Sequence, residues 1–123
     1  MERASIIGLQ VLVEKVDDRF VAHCLELDIV AEDETVDAVR RELEELVAAQ
    51  FRFAIEHDNL ENFYHPAPPE AWARFAQASS PTREIPEWSE HLDLSRTTPV
   101  LPGVMMTMHY GYARRKAASA AAA

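Results

Sequence analysis

From Thr35 to about Glu56 the apolar residues Val36, Val39, Leu43, Leu46, Val47, Phe51, Ala54 and Ile55 recur at three- and four-residue intervals. That is the spacing of one face of an α-helix. Asp37, Arg40, Arg41, Glu44, Glu45 and Arg52 take the other side. Thr35 suits the N-cap, because its hydroxyl can accept from a free backbone N–H of the first turn. Asp37 places negative charge where the helix dipole favours it. A helix of this length, about 30 Å, needs an extended apolar surface to cover, and this requirement limits what the rest of the chain can be.

The residues before it supply such a surface. In "SIIGLQVLVEK" the residues Leu9, Val11 and Val13 share one parity, with Gln10 and Glu14 on the other, as in a half-buried strand. "VDDR" supplies turn residues, since Asp side chains bond back to nearby backbone. "RFVAHC" resumes with aromatic and β-branched residues, and "LDIVAE" reads as a third strand with Leu27, Ile29 and Ala31 on one face. The expected fold class is α+β: a three-stranded antiparallel sheet packed on one long helix, over residues 1–62. Residues 63–123 read as a C-terminal extension. It holds a short helix over 69–79, an irregular stretch over 80–102, a strand over 103–110 and a low-complexity tail over 113–123. Pro69 suits an early helical position, and Trp72, Phe75 and Ala76 would form that helix's apolar face.

Charge narrows the choice of partner. The net charge is −9, and residues 1–62 carry 16 Asp+Glu against 6 Lys+Arg. An acidic chain lacks the basic surface that neutralises phosphates, so direct nucleic-acid binding is not expected. It suits a basic partner instead. The chain has one cysteine, which allows no internal disulfide and no cysteine pair for a metal. With no long apolar run and no signal-peptide pattern, the reading is a cytoplasmic protein away from membranes.

His23 and Cys24 are adjacent, which invites a reading as a reactive pair. Neighbours on a strand point to opposite faces, so His23 cannot easily activate Cys24. The reading is a packed cysteine. His23, His57, His65, His91 and His109 show no helical zinc spacing. Met105, Met106, Met108 and His109 read as packing rather than a soft-metal site. Glu26 and Asp28 lack the converging carboxylates that a metal-dependent nuclease needs. No catalytic residue, metal or cofactor is expected. Trp72 and Tyr110 stand out as interface candidates, since large aromatics with a polar handle favour such positions.

One resemblance follows from these residues. Phe20, Ala22, Cys24, Glu26, Leu27 and Thr35 match, in order and spacing, a segment that resembles the HicB-like antitoxin domain. The resemblance covers roughly Ile7 to Glu56. "FYHPAPPEAWARF" is similar to longer members, in which a Pro-rich turn and a Trp-bearing helix follow. It implies a reduced ribonuclease H-like core, homo-oligomers, and a non-catalytic role: binding and sterically blocking a small basic RNA-cleaving toxin. Asp17, Asp18, Glu44 and Glu45 would form part of that contact. After Ser80 no pair of amphipathic helices offers a DNA-binding domain. The alternative is an orphan module of the same fold that oligomerises and regulates without a toxin.

Overall fold

The computed structural model describes residues 5–80 and 84–115. Five strands form one sheet: β1 (Ser5–Val16), β2 (Arg19–Cys24), β3 (Ile29–Asp33), β4 (Ser95–Leu101) and β5 (Val104–Arg115). Two α-helices, α1 (Val36–Glu56) and α2 (Pro69–Ala78), complete the fold with two short 3₁₀ turns. The strand order is β3-β2-β1-β5-β4. The β1–β2, β2–β3 and β4–β5 pairs are antiparallel, but β1 and β5 run parallel from Ser5/Val104 to Val16/Arg115.

This corrects the expected three-stranded antiparallel sheet on one long helix, and with it the HicB-like arrangement of a reduced ribonuclease H-like core. The fold is mixed α/β, and its C-terminal half supplies two of the five strands and one of the two α-helices. The physical reason lies in β1. Leu9, Val11 and Val13 pack toward α1, as their parity requires, but Leu12 on the opposite parity is equally buried. A strand buried on both faces needs a neighbour on both edges and cover on both sides. β2 takes one edge and β5 the other. Helix α1 covers one face and α2 covers the second.

Each layer follows from local sequence. The Thr35 hydroxyl accepts from Ala38 N–H at 3.1 Å and starts α1. Val39, Leu43, Val47 and Phe51 then bury against Val11, Val13, Ala22, Cys24 and Ala31. Beyond α1 the chain must cross to the other face, and the Pro-rich stretch makes the crossing. Pro66 and Pro68 have no N–H to place. The two residues that do, His65 and Ala67, donate to the carbonyls of Glu26 and Leu25 at 3.0 and 2.7 Å. Pro69 then opens α2 without losing a helical hydrogen bond.

Helix α2 lies on small residues. Ala67, Ala71 and Ala113 join Leu12 and Leu25 in a second core, with Trp72, Phe75 and Ala78 packed around it. The stretch expected to be irregular contains β4, whose Pro99 is tolerated because the strand lies at the sheet edge. The strand expected over 103–110 continues to Arg115, so the first residues of the expected tail are strand, with Ala113 buried. The rest of that tail, 116–123, lies outside the described residues.

Gly111 sets the distance between α2 and the sheet. A methyl group there would stand 3.1 Å from the Phe75 ring and 3.0 Å from Ser79 Oγ. Gly111→Val should lift the end of α2 and destabilise the protein by about 1–3 kcal/mol. Urea unfolding of the two proteins would measure it, and an unchanged midpoint would show that α2 does not rest there.

Candidate functional site

Cys24 is fully buried in the α1-side core, facing away from His23. Burial, reinforced by the nearby Glu26 carboxylate, pushes the thiol up from 9.0 to about 12. A protonated thiol in that setting is packing, not a nucleophile. His23 faces the other way, and its Nε2 lies 2.6 Å from Asp28 Oδ1. Among the described residues, no group of three or more His, Cys, Asp or Glu side chains could hold a metal ion.

The α1 stripe contains two residues that periodicity placed on the solvent side. Arg40 and Glu44 lie one turn apart and are buried against β5. The Tyr110 hydroxyl donates to Glu44 Oε2, and Arg40 Nη1 donates to the Tyr112 hydroxyl at 3.0 Å. Arg40 also pairs with Asp37 at 3.1 Å, and its guanidinium stacks 5.2 Å over the Tyr110 ring. The Tyr112 hydroxyl donates to the Asp93 carbonyl at 2.6 Å, tying the segment before β4 to the core. Trp88 closes the cluster edge-on to both Phe20 and Tyr112.

Burial sets the electrostatics of this cluster. It pushes the Tyr110 phenol well above its ordinary value, and the hydrogen bond to the Glu44 carboxylate adds to the rise. Tyr112 rises from 10.0 to about 12, again through burial, with Arg40 opposing. Burial alone would lower the Arg40 guanidinium, but the Tyr112 and Asp37 interactions outweigh it and hold it protonated. A third buried group, Glu14, binds Arg74 at 3.1 Å and Arg115 at 2.6 Å on the α2 side. These networks join elements far apart in sequence.

The candidate contact residues therefore separate. Glu44 is committed to Tyr110, and Tyr110 itself is only 4% exposed, so neither presents a surface for a partner. Trp72 is half-buried against the α2-side core. Asp17 and Asp18 are exposed in the two-residue β1–β2 turn, with Asp17 in the left-handed region at φ 56°. Glu45 is exposed on α1.

The structure brings further carboxylates to the Asp17–Asp18 end of the sheet. Register places Phe20 opposite Asp33 and Val21 opposite Glu32, so the β3 end lies beside the turn. Arg19 reaches Glu32 at 2.8 Å and Glu34 at 3.8 Å. Asp37 follows in the first turn of α1. Asp17 and Asp18 precede Arg19 in the turn, Glu32 and Glu34 pair with it, and Asp33 lies opposite Phe20 on the neighbouring strand. Asp17 and Asp18 come from one loop, and the others converge only because β3 pairs with β2.

Two concavities lie on other parts of the surface. A groove of about 660 Å³ on the α2 side is walled by Phe75, Ala78, Ile85, Leu92 and Leu94, with Gln10 and His109 on its floor. A cleft of about 350 Å³ lies at the opposite end of β3 from the carboxylates, between Leu27, Ile29, Phe53, Ala54 and Phe63. Comparison of the chain with protein-family models, curated proteins and solved structures finds no match. None of the helices described is long and apolar enough to cross a membrane.

The buried phenols and thiol give stability a defined pH dependence. Their folded values lie above 9.0 for Cys24 and 10.0 for Tyr112, so the unfolded chain deprotonates first. Stability should hold up to about pH 9 and fall as pH rises toward about 12. Melting temperatures across that range should show Tyr112→Phe with a shallower alkaline decline than the parent. Equal slopes would remove Tyr112 as a source. Removing the Glu14 carboxylate tests the second network. Glu14→Gln should cost about 1–3 kcal/mol, since Arg74 and Arg115 are part-exposed and can rehydrate. Denaturant titration measures this, and no loss would make the ion pairs incidental.

Proposed function

We propose that this protein is a non-catalytic, antitoxin-like binding module of the cytoplasm that captures a small basic protein, an RNA-cleaving toxin, and blocks its RNA-binding surface. The observation that carries this reading is the gathering of the exposed Asp17 and Asp18 with Glu32, Asp33 and Glu34 at one corner of the sheet, where Arg19 pairs with Glu32 and Glu34. Exposed carboxylates there raise the local negative potential, steering a basic surface into place and discriminating against acidic ones. RNA-cleaving proteins must present cationic groups to phosphates, so their working surface is complementary to such an end.

Exposed ion pairs such as Arg19–Glu32 contribute little to folding. Their removal should therefore weaken capture while leaving the fold intact. The tagged protein is passed through lysate of its own cell at low and high salt, and the eluted proteins are identified. A small basic protein released as salt rises is expected, and the pure chain should inhibit that protein's RNA cleavage. Asp17→Lys combined with Asp18→Lys should weaken the complex about tenfold or more at low salt. Cleavage that proceeds unchanged in the presence of the chain would overturn the reading.

A further inference from the structure

The two outer edges of the sheet are not equivalent. β4 carries Pro99, which has no N–H to offer, and its pairing with β5 shifts between Pro99 and Leu101. Both features blunt an edge against further pairing. β3 carries neither. Its sequence is "IVAED", with no proline, no lysine and no bulge in its pairing with β2.

The hydrogen-bonding parity of that edge can be worked out. Leu25 N–H donates to Gln10 O at 2.9 Å, continuing the β1–β2 ladder. Alternate residues of an antiparallel strand bond to the same neighbour. Arg19, Val21 and His23 therefore bond toward β1, while Phe20, Ala22 and Cys24 bond toward β3. Their partners Asp33, Ala31 and Ile29 bond inward. The N–H and C=O of Val30 and Glu32 are left facing outward, and Val30 is 51% exposed.

Two further features lie on this edge. Beside Ile29 is the cleft formed with Leu27, Phe53, Ala54 and Phe63, whose Phe53 is 55% exposed and stacks on His57. At the other end are Glu32, Asp33 and Glu34. We infer that β3 is a strand-addition site: an extended segment of a basic partner pairs with Val30 and Glu32, seats one apolar side chain in the Leu27–Phe53–Phe63 cleft, and sets basic residues against the carboxylates. This rests on the acidic-end reading above and adds to it the mode of binding.

Charge selects the occupant. A second copy pairing antiparallel about Ala31 would set Val30 against Glu32, and a parallel copy would set Glu32 beside Glu32; neither neutralises a carboxylate. Each copy also carries a net charge of −9. A basic strand removes the repulsion and gains attraction. The anchor opposite Ile29 and residues opposite Glu32 and Asp33 fix the partner's pattern. An apolar residue should be followed or preceded by lysine or arginine about three and four positions away.

The test uses the full chain, labelled with ¹⁵N, and an extended synthetic peptide. The peptide alternates threonine and valine around one leucine, with two lysines three and four positions from it, and is made in both chain directions. One direction should bind with a Kd of about 10–100 μM, shifting the Val30 and Glu32 amides and slowing their hydrogen exchange. Replacing the leucine by serine, or the protein's Phe53→Asp or Val30→Pro, should weaken binding about tenfold or more. Phe53→Asp alters an exposed side chain, so it reports on the cleft even where proline perturbs the strand. No binding of either peptide at 1 mM overturns the strand-addition site, as does binding that ignores both substitutions. A peptide with glutamates in place of lysines that binds β3 equally well leaves strand addition standing and overturns the basic-partner reading. Concentration-dependent shifts at Val30 without peptide would assign the edge to a second copy and overturn the inference.

Discussion

The parallel ladder between β1 and β5 joins the first described residues to the last, from Ser5/Val104 to Val16/Arg115. It makes β1 an interior strand, and an interior strand must be covered on both faces. From that requirement follow the two helices on opposite sides, the crossing made by the Pro-rich stretch, and the small residues beneath α2. The alternation of Met106, Met108, Tyr110 and Tyr112 on β5 supplies the α1-side core, while Gly111 and Ala113 on the other parity admit α2. One strand therefore specifies both layers.

The polar groups buried along this ladder specify register. Hydrophobic packing tolerates small slips; a tyrosine hydroxyl facing a carboxylate does not. A one-residue shift of β5 would turn Tyr110 and Tyr112 to the α2 face. Glu44 and the Arg40 guanidinium would then be buried without those partners. Glu14, held between Arg74 and Arg115, performs the same function on the second face and fixes the end of β5. Such networks add little net stability over apolar packing, but their disruption is costly. They favour one arrangement over its neighbours.

The surface itself is asymmetric in a useful way. One sheet edge is blunted by Pro99, while the other is regular, acidic at one end and apolar at the other. Edge strands invite pairing with any extended chain. On the reading proposed above, the β3 carboxylates oppose self-association and leave the backbone groups to a partner of opposite charge.

Several elements were legible in sequence. Thr35 and the periodicity behind it mark α1 from Val36 to Glu56, and Asp17–Asp18 mark the β1–β2 turn, because caps and turns are local chemistry. Pro69 marks the start of α2 for the same reason. The two-sided burial of β1 was also present, in the apolar Leu12 on the wrong parity, but alternation on the other parity masked it. The rest required the third dimension. Nothing within β1 names β5 as its parallel partner some hundred residues on, and Pro99 hid β4 because proline is excluded only from interior strands. Arg40 and Glu44 read as solvent-facing by residue type; Tyr110 and Tyr112 make them interior. The acidic end was legible as composition and as the Asp17–Asp18 turn, whereas its union with Glu32, Asp33 and Glu34 was decided by strand pairing. Local sequence determined where elements begin and end, since that depends on backbone and neighbouring side chains. Long-range pairing decided which faces are buried, because burial is a property of the partner as much as of the residue.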